Sequence, residues 1–156
     1  MEESRYSIHK ARRYLQIADH LVNMTYKILK ESKLLLSSLE NIFLALTNAM
    51  TSLLNQEAKL KKIPQFNNDF DSRFKAFKNY HLKKRNFDIE NIYMIKEIKE
   101  TLIAHKKSSM EFTRQDRLVI CSDNYNMKVV TAKTIKDYLS KAKLFIEDMD
   151  KLISQK

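Results

Sequence analysis

Residues 34–56 read LLLSSLENIFLALTNAMTSLLNQ, and the fold class follows from how their apolar positions recur. Leu35, Leu36, Leu39, Ile42, Phe43, Leu46, Met50, Leu53 and Leu54 form a broad arc on a helix predicted from about Lys33 to Lys62. The helix must stop before Pro64, whose ring disfavours helical geometry in the preceding residue. The opposite side carries Asn41, Asn48 and Asn55 at seven-residue spacing, with Ala45 and Ser52 among them. A solvated face normally carries lysine and glutamate. Small uncharged side chains instead suit close packing against another helix, from this chain or from a second copy. The stretch is therefore expected to be the central helix, with Asn41, Asn48, Ser52 and Asn55 as a homodimer interface. Glu40 is its one formal charge, yet its many Ser, Thr, Asn and Gln side chains are too polar for a bilayer core. No membrane association is expected.

The flanking sequence supplies partners for that helix. From Ser7 to Lys30, Ile8, Ala11, Leu15, Ala18, Val22, Thr25 and Leu29 fall on one helical stripe. A shorter helix is predicted over Asn68–Lys84, with Asp69 and Asp71 near its positive end. Phe66, Phe70, Phe74, Phe77 and His81 recur along it as a core stripe. A fourth helix runs from about Asp88 to Lys106, with Ile92, Ile95, Ile98 and Leu102 inward and His105 extending the stripe. Lys107–Asp116 reads as a polar loop. Arg117–Cys121 and Met127–Thr131 read as the strands of a β-hairpin, which must lie against the bundle to be stable. A last helix, capped by Thr131 or Thr134, buries Ile135, Tyr138, Leu139, Ala142, Phe145, Ile146, Met149, Leu152 and Ile153. The expected fold is mainly all-α: an antiparallel bundle of about five helices with one short hairpin before the C-terminal helix. No repeat or linker interrupts residues 1–156, which are expected to form one domain.

Composition removes whole classes of chemistry. The chain has no glycine. Walker loops, dinucleotide fingerprints and nucleophile elbows need that residue for close phosphate approach or positive φ. Tight turns are expected to use Asn67-Asn68-Asp69 and Asp123-Asn124-Tyr125-Asn126, since these side chains tolerate the left-handed region. One cysteine, Cys121, excludes an internal disulfide and a multi-cysteine zinc site, and reads as a small apolar strand residue. The polar opening MEESRYSIHKARRY is unlike a secretory signal, so a cytoplasmic location is expected. The 29 Lys and Arg against 19 Asp and Glu give a formal charge of +10. That suits a polyanionic partner, RNA foremost, and equally suits a lysine-rich composition unrelated to binding.

Specific chemistry is sparse. His9, His20, His81 and His105 form no metal-ligand spacing, so no metal and no cofactor is expected. Glu97 and Glu100 lie among Lys96 and Lys99, which reads as surface ion pairing. His105 stands out. It ends an apolar stripe beside Lys106 and Lys107, where imidazole exchanges protons near neutral pH and the cations hold phosphate. The competing reading is a capping or core histidine at the negative end of a helix. Arg73, Lys78, Lys83, Lys84 and Arg85 form a second basic group, read either as a nucleic-acid surface or as the solvated side of an aromatic core.

The segments ARRYLQIADHLV (11–22), LENIFLALTNAMTSLL (39–54) and KETLIAHKKS (99–108) together resemble the HEPN family. Its members are helical bundles that often dimerise and include RNA-cleaving toxins. The resemblance implies an opening helix, a low-charge central helix, and a site where an arginine precedes a histidine by a few residues. His105 matches the histidine, and the arginine position falls on Lys99. Lysine keeps the charge but lacks the planar fork that grips phosphate through two bonds. Under this resemblance His105 moves protons at the 2′-hydroxyl or the leaving oxygen. Lys99 and Lys106 steady the phosphate, and a second subunit completes the site. The alternatives are a non-catalytic homodimeric interaction module and an accessory subunit that binds a nucleotide beside a partner enzyme.

Overall fold

The computed structural model describes residues 2–82, 89–122 and 126–155. The first rod consists of α1 (Glu2–His20), a π turn at Leu21–Thr25, and α2 (Tyr26–Leu29). It is followed by α3 (Lys33–Lys59), α4 (Phe70–Phe77) with a π turn at Lys78–Leu82, and α5 (Ile89–Lys107). Three strands, β1 (Met110–Arg114), β2 (Arg117–Cys121) and β3 (Met127–Thr131), then lead into α6 (Ala132–Ser154). The chain is thus mainly helical, with five helical rods and a small antiparallel sheet before the last of them. Lys83, Lys84 and Arg85 lie outside the described residues.

α3 is the central helix. Its apolar arc is buried, Phe43 remaining partly exposed, and its small residues meet α1. Ser4, Ala11 and Ala18 recur every seven residues on α1 and are buried, as are Ser38, Ala45 and Ser52 on α3. Ser52 Oγ donates to the Ser4 carbonyl at 2.6 Å, and Ser38 Oγ donates to the Ala18 carbonyl at 2.9 Å. These two bonds fix an antiparallel register that sets Ala11 opposite Ala45. Side chains of this size let the backbones approach closely while each buried hydroxyl finds a carbonyl. The close packing expected at Ser52 is therefore satisfied within the chain, by α1, and Ser52 is not available as a dimer contact.

The stripe predicted on the first rod holds through Ile8, Ala11, Leu15, Ala18 and Val22, all buried, and then breaks. Thr25 is half-exposed and Leu29 is 57% exposed, while Tyr26 takes the next inward position. The π turn at Leu21–Thr25 is the cause. It adds a residue to one turn, and so rotates everything beyond it by about 100° relative to an uninterrupted α-helix.

Turns also differ from expectation. Among the described residues, backbone with positive φ occurs at Lys30, Lys61, Gln115 and Asp116, so lysine and glutamine fill three of those four positions; Asp123, Asn124 and Tyr125 of the other expected turn lie outside the described residues. Lys61 closes α3 with the paired end bonds Lys62 N–H to Glu57 C=O and Lys61 N–H to Ala58 C=O. Asp69 accepts from the Ser72 N–H at 2.8 Å, so Asn67–Asp69 leads into the cap of α4. That contact, with the Ser72 hydroxyl, holds the Asp69 carboxyl below its ordinary range. Of the two threonines considered for α6, Thr131 is the cap, accepting from the Thr134 N–H at 3.0 Å.

Residues 107–116 are the main correction to the sequence reading. Instead of a loop, Met110–Arg114 forms a third strand, giving the order β1-β2-β3. β1 pairs with β2 from Met110↔Cys121 to Arg114↔Arg117, leaving Gln115 and Asp116 as a two-residue turn. Both have positive φ, the geometry that matches strand twist in a tight hairpin. Sequence reasoning missed the strand because its polar alternation carries few β-branched residues, and its turn lacks glycine and asparagine. Leu118, Ile120 and Val130 on the inner face are buried against the bundle.

Candidate functional site

Two inner-face side chains clip the sheet to the C-terminal half of α5. Glu111 on β1 meets His105, and Lys128 on β3 meets Glu100 at 3.8 Å. His105 Nδ1 lies 2.5 Å from Glu111 Oε1, with side chains 34% and 23% exposed. Ser108 Oγ shares the same carboxylate oxygen at 2.8 Å and also contacts the His105 carbonyl at 3.0 Å. The turn leaving α5 thus ties the helix end, the imidazole and the first strand together. Since a carboxylate only accepts, the ring hydrogen sits on Nδ1 in the neutral imidazole. Nε2 is left with a lone pair, the arrangement a general base needs. The serine is bonded to the glutamate, so the cluster is a carboxylate–histidine pair and no nucleophile triad.

Lys99 and His105 do not converge. They lie about 120° apart around α5 at six residues' separation. The Lys99 ammonium sits 4.5 Å from the Phe70 ring centroid and 5.6 Å from that of Phe43. Phe70 stacks on Phe74 and meets Phe43 at a 46° tilt, and Lys78 caps Phe74 at 4.8 Å. Cations over ring faces are attracted by the aromatic quadrupole. Lys99 and Lys106 line one open groove with Glu40, Phe43, Leu44, Leu102 and Ile103. Arg73 donates to Thr51 Oγ1 at 3.0 Å and to the Asp69 carbonyl at 3.3 Å, bracing α4 on α3. Lys106 and Lys107 are exposed beside His105. The predicted basic residues therefore fall into two groups. Lys106 and Lys107 are exposed next to His105 in sequence, Lys106 on the side of the Lys99 groove, while Lys99, Lys78 and Arg73 are engaged with rings or helix ends.

Phe74 and Phe77 are core, with Phe66 and Phe70 packed against it. Glu97 and Glu100 reach other elements: Glu97 accepts from Tyr138 on α6, and Glu100 pairs with Lys128. Asn41 and Asn48 donate back to the Ser37 and Leu44 carbonyls at 2.8 and 2.7 Å, and they and Asn55 are half-buried. Glu111 was not singled out from the sequence. Its one available signal was a carboxylate six residues beyond the histidine, which has meaning only once Met110–Arg114 is a strand.

No protein-family model matches the chain, and neither a curated protein nor a solved structure matches it.

Proposed function

We propose that this protein acts on RNA at the C-terminal end of α5, as a HEPN-like domain whose proton-transfer group is His105 held by Glu111. The observation that carries this reading is the 2.5 Å contact between His105 Nδ1 and Glu111 Oε1. It fixes the tautomer and aims Nε2 away from the carboxylate. In the proposed reaction Nε2 takes the proton of a ribose 2′-hydroxyl as that oxygen attacks the adjacent phosphorus. The phosphorus–5′-oxygen bond breaks, a 2′,3′-cyclic phosphate forms, and water supplies the proton to the departing 5′-oxygen. Lys106 and Lys107 steady the phosphate charge as point cations. Lys99, engaged with Phe43 and Phe70, plays no direct part in this version of the site.

The test is cleavage of a mixed RNA pool in EDTA by wild type, His105→Ala and Glu111→Gln. The expected result is cleavage by wild type, abolished by His105→Ala and reduced roughly a hundredfold or more by Glu111→Gln, in the usual range for general acid–base contributions. RNA bound but not cut by wild type would withdraw the catalytic role and leave a binding protein. Cleavage unchanged in His105→Ala would remove this site altogether.

A further inference from the structure

The outer face of the sheet has no cover among the described residues. Its register stacks three rows: Met110, Cys121 and Met127; then Phe112, Val119 and Val129; then Arg114, Arg117 and Thr131. Met110 is 61%, Phe112 42%, Met127 64% and Val129 48% exposed, which makes two adjacent apolar rows open to solvent. An open cleft of about 360 Å³ lies on this face, bounded by Phe112, Arg114, Arg117, Val119, Met127 and Val129. A sheet face that is buried on one side and polar on the other is the ordinary pattern, and this one departs from it.

The third row identifies the ligand chemistry. Arg114 and Arg117 are direct cross-strand partners, and like charges in that position repel. Neither side chain meets a carboxylate or another hydrogen-bond partner among the described residues. The nearest acid in sequence, Asp116, turns back to accept from the Tyr26 hydroxyl at 3.4 Å. Two exposed guanidinium forks side by side form a seat for an oxyanion such as phosphate. The arginine pair thus stands at one end of a platform of apolar rows that contains one aromatic ring.

A second copy does not fit this patch. Its Cα atoms span only about 10 Å by 14 Å, a small platform for a stable protein complex. A second copy would also bring its own +10 charge to the arginine row. A strand with regularly spaced negative charges and flat apolar faces between them matches the alternation.

We propose that the outer face of β1–β3 is a single-stranded RNA platform, with a phosphate between Arg114 and Arg117 and the adjoining base stacked on Phe112. The platform rests on the RNA-directed reading above and extends it: the strand crosses the edge of β1, which carries Glu111 on one face and Phe112 on the other. Base stacking on an aromatic ring and phosphate contacts by exposed cations are the two sequence-tolerant means of holding single strands.

The experiment is fluorescence anisotropy of a labelled ten-nucleotide oligouridine with the full chain. It compares wild type, Arg114→Gln/Arg117→Gln, Phe112→Leu and Phe112→Tyr, across a salt series. All three positions are exposed, so the variants keep the fold, checked by circular dichroism. The double arginine variant is expected to bind at least about tenfold more weakly, with a shallower salt dependence. Phe112→Leu, which keeps apolar bulk and loses the ring, loses about tenfold, and Phe112→Tyr restores binding. RNA bound equally by all variants overturns the platform while leaving RNA action at His105 standing. Platform-dependent binding without cleavage supports the platform and removes the catalytic reading. Absence of RNA binding overturns both, as does capture of phosphatidylglycerol vesicles in place of RNA.

Discussion

Tyr138 shows how a single side chain ties elements together and sets a pH limit. It is half-buried on α6 and hydrogen-bonded to Glu97 of α5. Burial, followed by the Glu97 charge and hydrogen bond, pushes the phenol well above its ordinary value of 10.0. Tyr26 is raised in the same direction, first by burial and then by Asp116. A group whose folded-state value is raised contributes stability that is complete below its unfolded value and is lost as pH rises beyond it. Stability should therefore fall above about pH 10, and Tyr138→Phe should flatten that fall, as read from the melting temperature between pH 9 and 11. An equal decline in both proteins would show that Glu97 and burial do not hold the phenol neutral. His105 teaches a different lesson at this scale. Its position at the end of an apolar stripe was legible in the sequence. Its partner was not, because Glu111 becomes a neighbour only when the chain reverses after Ser108.

At the scale of elements, the pairing of α1 with α3 is the most exacting contact. Ala11 and Ala45 are fully buried between the two serine–carbonyl contacts, so the helices have no room for a longer side chain there. Ala45→Leu should destabilise the protein by roughly 1–3 kcal/mol, the usual cost of forcing methylenes into a packed core. Exposed Leu44→Ala beside it should change stability by less than about 0.5 kcal/mol, as typical surface substitutions do. Denaturant unfolding compares the two, and similar losses would mean that α1 and α3 are less tightly apposed. The low-charge face of Asn41, Ala45, Asn48, Ser52 and Asn55 was visible in the sequence, and close packing against α1 holds for Ala45 and Ser52, while the asparagines stay half-exposed. Which helix would fill the groove was not visible, since serine and alanine on α3 suit any partner with equally small residues. The end of the first rod was misjudged for a related reason. A π turn leaves no compositional mark in LVNMT, yet it exchanges Leu29 for Tyr26 as the inward residue.

For the whole molecule, charge and oligomeric state are the properties that matter most. Between Asn41 and Asn55, the outward ridge of α3 carries Asn41, Leu44, Asn48 and Asn55, none of them charged. If this ridge pairs two copies, Asn48→Lys places like charges across a two-fold axis and should yield a monomer in sedimentation velocity. A wild-type monomer, or a dimer unaffected by the substitution, would place any interface elsewhere.

By itself the sequence determined the helical class, the central position of α3, two of the three strands and the inward faces of most helices. Those follow from local periodicity, because an apolar stripe has one way to leave water whatever it packs against. Only the tertiary structure decided that Glu111 orients His105, that Lys99 lies over Phe43 and Phe70, and that an open face joins Phe112 to Arg114 and Arg117. Each of these is a meeting of side chains across elements. It is fixed by strand register and helix phase, which single-residue changes such as a π turn or a two-residue hairpin shift without altering the pattern from which the fold is read.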